Sequence, residues 1–154
     1  MNMISKVIFT AIASAILPVA ASASCPSYAV SGLPINHSSD EVWTPQRHSV
    51  IAGGNIDLAS CPSVPGHGHI IEHPDFTLYY DAQARGRALE FRVTASCDTV
   101  LLVNTATAQW VFSDDDTDLN PRIRVADAPD GRYDIWVGTF AGATCDAVLS
   151  VESF

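Results

Sequence analysis

Seven strand-length apolar segments crowd into the second half of the chain, and they limit what it can fold into more than any other feature. "FTLYY" (76–80) is aromatic and β-branched. "RALEFRV" (87–93) alternates, with Leu89, Phe91 and Val93 on one face and Arg87, Glu90 and Arg92 mostly toward solvent. "TVLLVN" (99–104) is a continuous apolar run, the pattern of a strand buried on both faces. "QWVF" (109–112), "RIRVA" (122–126), "RYDIWVGTF" (132–140) and "DAVLSVESF" (146–154) follow, separated by the turn signals "SDDDTDLNP", "APDG" and "AGAT". No segment sustains a helical period with capping residues. Strands recurring about every 10 to 14 residues predict an all-β fold, an antiparallel β-sandwich of jelly-roll-like form.

The first half has a different texture. Residues 25–75 are rich in Pro, Gly, Ser and His ("SGLPINHSSD", "IAGGNIDLASCPSVPGHGH") and predict loops and short edge strands packed on the sandwich core of residues 76–154. Ahead of them, Lys6 precedes an uncharged apolar run from Val7 to Ala21 that ends in Ala21-Ser22-Ala23, a small-x-small cleavage pattern. Residues 1–23 therefore read as a secretory signal peptide, and the mature protein as periplasmic or secreted. A lipoprotein anchor at Cys25 fits less well, because Ser22 stands where a large aliphatic residue is usual. The apolar run is shorter than the roughly 20 residues a membrane span needs, so no membrane insertion is expected.

All four cysteines, Cys25, Cys61, Cys97 and Cys145, lie beyond that cleavage point, and no two of them form a C-x-x-C pair. An even count in an exported chain favours disulfides over a zinc-thiolate site. Three pairings are open; Cys25–Cys61 with Cys97–Cys145 keeps each bridge inside one half of the chain. On the chain-entropy view each bridge stabilises the fold by about 4 kcal/mol. A mature length of about 130 residues suits a single domain. The net charge is −9 and, past Lys6, every cation is arginine. Such a chain repels nucleic acid and anionic lipid and suits cations or neutral partners.

At Leu101–Asn104, Asp114–Asp116, Leu119–Ile123 and "GRYDIWV" (131–137), the second half resembles the bacterial pre-peptidase C-terminal domain family. The resemblance covers roughly residues 76–154; Cys97, Cys145 and a first turn without glycine set this chain apart from the family pattern. It implies a β-sandwich that accompanies secreted enzymes as a non-catalytic module, in some members binding calcium or polymeric substrates.

Three groups of residues invite a functional reading. Asp114, Asp116 and Asp118 are spaced like the first three ligands of an EF-hand loop, but Leu119 stands where Gly is required and Val125 where the bidentate Glu belongs, which excludes that motif. A different calcium site built from Asp114, Asp115, Asp116, Asp118 and Asn120 stays open, since crowded carboxylates repel one another until a cation or an arginine neutralises them. Arg122 and Arg124 offer the second solution, and Asp side chains bonding their own turn amides a third. "HGHIIEH" supplies His67, His69 and His73, a candidate zinc or copper set if His67-x-His69 lies on a strand. Trp110 and Trp136 are candidate binding-surface aromatics; in "RYDIWVGTF", Tyr133, Ile135 and Val137 share one face and Trp136 the other, so Trp136 is either exposed or covered by the first half.

Neither G-x-S-x-G nor H-E-x-x-H occurs, and a set such as His48, Asp57 and scattered serines arises by chance in any chain of this size. The expectation is a non-catalytic exported binding protein, its partner a protein or a polysaccharide. The alternatives are a periplasmic metal-binding protein using His67, His69 and His73, and an unrecognised hydrolase.

Overall fold

The computed structural model describes residues 24–154; the signal peptide expected at residues 1–23 lies outside the described residues. Its strands are β1 (Leu33–Ser38), β2 (Gln46–Ala52), β3 (Ile56–Asp57), β4 (His69–Ile70), β5 (Phe76–Asp81), β6 (Leu89–Ala95), β7 (Thr99–Asn104), β8 (Trp110–Ser113), β9 (Arg122–Val125), β10 (Gly131–Thr139) and β11 (Cys145–Ser153). Two sheets pack face to face. One has seven strands in the order β1-β5-β10-β4-β3, with β7 on the far side of β10 and β8 beyond it. The other has four, β2-β11-β6-β9. All pairings are antiparallel except β1 with β5, which run parallel in register from Leu33 opposite Phe76 to Ser38 opposite Asp81.

The seven segments of the second half become β5 to β11 because their period-2 pattern gives each an inward row. Leu89, Phe91 and Val93 of β6 and Leu149 and Val151 of β11 meet Leu78, Leu101, Val103, Tyr133, Ile135 and Val137 of the larger sheet in the main core. Tyr133 reaches past this core to donate its hydroxyl to the Pro129 carbonyl at 2.9 Å. The first half does more than pack on this sandwich, since β1 and β2 are edge strands of the two sheets.

β7 and β10 have apolar side chains on both faces, as the run "TVLLVN" demands. Val100, Leu102 and Trp136 point away from the main core into a second one, closed by Ile56, Leu58, Cys61, Val64 and Ile70 from the first half. Trp136 is fully buried there, with Trp110 against it at 5.3 Å between ring centroids. The Cys25–Cys61 disulfide staples this cover, and Cys97–Cys145 ties the start of β11 to the turn between β6 and β7. Close approach is what Gly138 allows: a Cβ there would meet the His69 carbonyl oxygen at 2.5 Å and Val100 Cγ2 at 2.7 Å.

The cover is also held by a polar chain. The Gly32 amide donates to Thr77 Oγ1 (3.0 Å), whose hydroxyl donates to Asp134 Oδ1 (2.6 Å), and buried Asp134 pairs with Arg132 at 2.9 Å. Arg132 Nη2 donates onward to the Tyr28 carbonyl at 2.8 Å, so the charge that satisfies Asp134 also pins the N-terminal segment. A gap remains along β10 between β5 and β4. Asp75 fills it, its Oδ2 accepting the Val137 amide at 2.7 Å while its own amide donates to the Ile135 carbonyl at 2.9 Å.

Two predictions follow from this packing. Trp136→Ala should cost about 3–5 kcal/mol in denaturant unfolding, while Ile51→Ala, on the exposed face of β2, should stay within about 0.5 kcal/mol. Burial pushes the Asp75 carboxyl up to about 7 from 3.8, against the opposing pull of the amide bonds it accepts. A carboxyl raised on folding favours the native state below its unfolded value and loses that contribution as pH rises through the folded one. The midpoint of Asp75→Asn minus that of wild type should therefore grow more positive between pH 4 and 8, and a difference flat with pH would refute the assignment.

Candidate functional site

The sandwich has two outer faces, of which one is open among the described residues. The outer face of the seven-stranded sheet lies under the first half of the chain. On the four-stranded sheet the side chains opposite one another across the strands form rows. Ile51 stands beside Asp146; Ser49, Val148 and Thr94 form the next row; Arg47, Ser150, Arg92 and Arg122 the third; Glu152, Glu90 and Arg124 the fourth. Small side chains in the middle leave a shallow groove of about 470 Å³ over Ser49, Ile51, Thr94 and Val148, continuing past Arg47 and Ser150 toward Phe154.

Four of the seven arginines of this acidic chain stand on that face. Like charges placed directly opposite, as Arg92 and Arg122 are, destabilise a sheet unless something neutralises them. Glu90 does so. Its side chain is only 2% exposed, and Arg92, Arg124 and Arg122 reach it at 2.7, 3.4 and 3.9 Å. The alternation in "RALEFRV" places Glu90 on the solvent side, yet three guanidinium groups close over it, because an ionised carboxylate is buried only when paired. The Arg92 guanidinium is in turn held above its ordinary value, chiefly by the hydrogen bond to Glu90. Arg124 lies over the Phe154 ring at 4.2 Å. Arg47 has no ion-pair partner among the described residues.

The acidic stretch at 114–120 lies between β8 and β9, and its members part company. Asp116 pairs with Arg122 at 2.8 Å. Asp118 Oδ1 accepts the Asn120 amide at 3.0 Å, and Asn120 Oδ1 accepts the Ala95 amide at 2.9 Å, tying the turn to β6. Asp114 turns the other way and meets His67 Nε2 at 2.8 Å. Asp114 and Asp115 instead join Asp98, a residue 16 positions earlier in the chain that sequence spacing gave no reason to include; each offers a carboxylate oxygen within 4.8 Å of the others. Burial, then the charges of Asp114 and Asp115, raise the Asp98 carboxyl above the usual carboxylate range, with His67 working against them. Three carboxylates carry six oxygens between them, so a calcium ion, which takes six to eight, would draw on backbone carbonyls or water as well. Of the five residues singled out from the sequence, Asp116, Asp118 and Asn120 are engaged in an ion pair and in turn bonds instead.

His67, His69 and His73 do not come together as one ligand set among the described residues. His67 precedes β4 and sits between Phe112 and Phe140 (5.2 and 5.4 Å between centroids), His69 lies on β4 against Gly142, and His73 is exposed beyond the strand. Since only His69 is in a strand, the period-2 argument for His67-x-His69 fails. Trp136 is likewise no binding surface, because its face of β10 is where the second core forms, and Trp110 is half-buried against it and Tyr28. Two histidines that carry no recognisable spacing do meet. His37 and His48 place their Nε2 atoms 3.2 Å apart.

These features define an all-β, two-disulfide sandwich with one outer face closed and the other lined by arginine. No protein-family model matches the sequence, and no curated protein matches it. A solved structure similar to it is that of Aeromonas hydrophila PliG, a periplasmic lysozyme inhibitor of g-type lysozyme; the two are 14% identical with a TM-score of 0.44, over 80% of this chain and 96% of that one. A likeness of that degree carries nothing about activity or partner.

Crowding at Asp98 has a measurable consequence. Asp98→Asn should raise the thermal midpoint at pH 7 by roughly a degree or two in calcium-free buffer, since it removes one of three mutually repelling charges. An unchanged midpoint would mean that solvent already screens the cluster, and a lowered one that the Asp98 carboxylate stabilises the fold.

Proposed function

We propose that this protein is an exported, non-catalytic binding protein, and that the outer face of its four-stranded sheet docks a partner protein presenting clustered carboxylates. The observation that carries this reading is the distribution of charge. A chain of net charge −9 gathers four of its seven arginines, interleaved with Glu90, Glu152 and Asp146, on the sheet face left open among the described residues. Three of those arginines already share Glu90 and Asp116, whereas Arg47 stands exposed beside the groove. Guanidinium groups present planar forks of donors that match carboxylates two at a time, and they bind through desolvated contacts better than lysine does.

The shape of the site supports a protein partner over a sugar polymer. A shallow groove floored by Ser49, Thr94, Val148 and Ser150 accommodates a protruding loop or strand edge, and it lacks an open aromatic platform on which a neutral sugar ring would stack. Phe154, at its end, is partly exposed but has the Arg124 guanidinium over its ring at 4.2 Å. Export is supported by the two disulfides, which are stable where thiols oxidise. The resemblance of residues 76–154 to pre-peptidase C-terminal domains fits the same role, that of a module which binds and does not catalyse.

The test uses isotope-labelled mature protein, oxidised, titrated with hexaglutamate and separately with maltohexaose. With hexaglutamate, amide shifts should concentrate at residues 47–51, 92–94 and 148–150, weaken steeply with added salt, and lose roughly tenfold in affinity in Arg47→Glu, whose side chain supports nothing in the fold. Shifts produced by the sugar alone, or peptide shifts that ignore Arg47→Glu, would overturn the proposal.

A further inference from the structure

β1 is the edge of the seven-stranded sheet and β2 the edge of the four-stranded one, so the short 3-10 turn Glu41–Trp43 that joins them crosses the open side of the sandwich. His37 on β1 and His48 on β2 face each other across this seam. Their ring planes are inclined at 42° with centroids 5.3 Å apart, so the rings meet through their Nε2 atoms and do not stack. Phe76 backs His48 at 5.6 Å between centroids. Neither imidazole has another hydrogen-bond partner in the protein among the described residues.

Two neutral imidazoles at this distance can share one N–H···N bond. The same spacing has a second use. Two histidine nitrogens bound to one tetrahedral ion at about 2.0–2.1 Å lie roughly 3.3–3.4 Å apart, so a metal could enter with a few tenths of an ångström of ring movement. Each ligand is fixed by a strand of a different sheet, and each ring is half-buried, which restricts the rotamers that would otherwise have to be ordered on binding.

We propose that His37 and His48 form a binding site for an imidazole-preferring divalent ion, Zn²⁺ or Cu²⁺, with both Nε2 atoms as ligands and water completing the shell. The site joins the edges of the two sheets, so the ion acts as a clip across the seam. Glu41 stands in the turn between the two strands, its carboxylate accepting the Ser38 amide at 2.7 Å, and places a negative charge near His37. Cu²⁺ should bind more tightly than Zn²⁺, by the ordinary order of divalent affinities. This site is separate from His67, His69 and His73 and independent of the arginine face.

The experiment is calorimetric titration of tag-free, oxidised mature protein with zinc chloride, repeated with copper sulfate. One ion per chain should bind with a dissociation constant below millimolar, and zinc should raise the thermal midpoint. Affinity should fall at least tenfold in His37→Ala and in His48→Ala, and stay unchanged in His67→Ala/His73→Ala. Should either single variant fail to fold by circular dichroism, long-range ¹⁵N–¹H spectra of the wild-type imidazoles answer the question without it, because zinc must move the Nε2 resonances of His37 and His48 together. Absence of binding by the wild type, undiminished binding by a folded His48→Ala, or loss of binding in His67→Ala/His73→Ala would each overturn the proposal.

Discussion

The fold depends on two central strands, β7 and β10, that are apolar on both faces. Neither face of such a strand can be left in water, because exposing side chains the size of Leu102 and Trp136 would forfeit several kcal/mol of burial. The four-stranded sheet covers one side. The other must be covered by residues 53–70, a stretch with little regular structure of its own, and so that cover needs attachments that regular elements do not. The Cys25–Cys61 bridge and the chain from Gly32 through Thr77 and Asp134 to Arg132 supply them. Once the cover is in place, the broad sheet face left open among the described residues is the outer face of β2, β11, β6 and β9.

That open face illustrates how charge is managed locally in a chain whose overall balance points the other way. Net charge governs long-range repulsion, but within a Debye length of about 8 Å the arrangement of individual groups dominates. Arg92 opposite Arg122 would be unfavourable in isolation; Glu90 beneath them turns the row into a paired network. Three of the four aspartates of the acidic turn find different solutions: an arginine for Asp116, a backbone amide for Asp118, a histidine for Asp114. Asp98, Asp114 and Asp115 remain crowded together, with Asp115 unpaired among the described residues.

Where β1 passes to β2, edge strands of the two separate sheets lie side by side with no strand pairing between them. An imidazole from each edge meets there. Sandwiches must close their sides somehow, and a pair of histidines does so with groups that can bond to each other or to a metal, whichever is present.

The sequence by itself determined the strands of the second half, their inward rows and the double-sided burial of β7, because side-chain alternation is a local property of each segment. The boundaries of β5 to β11 fall within about two residues of the apolar segments for that reason. It also exposed the choice at Trp136 without deciding it, since alternation says which face a side chain takes and nothing about what covers that face. Only the tertiary structure could decide that the first half supplies the cover, that Glu90 is buried under arginines from two strands, that Asp98 joins the acidic turn, and that His37 meets His48. Each of these brings together groups far apart in the chain, through strand pairing and sheet packing whose register depends on every strand at once. A ligand spacing or charge run along one segment is silent about such meetings, and this is why the residues most visible in the sequence, the aspartate run and "HGHIIEH", were divided among separate partners once the sheets closed.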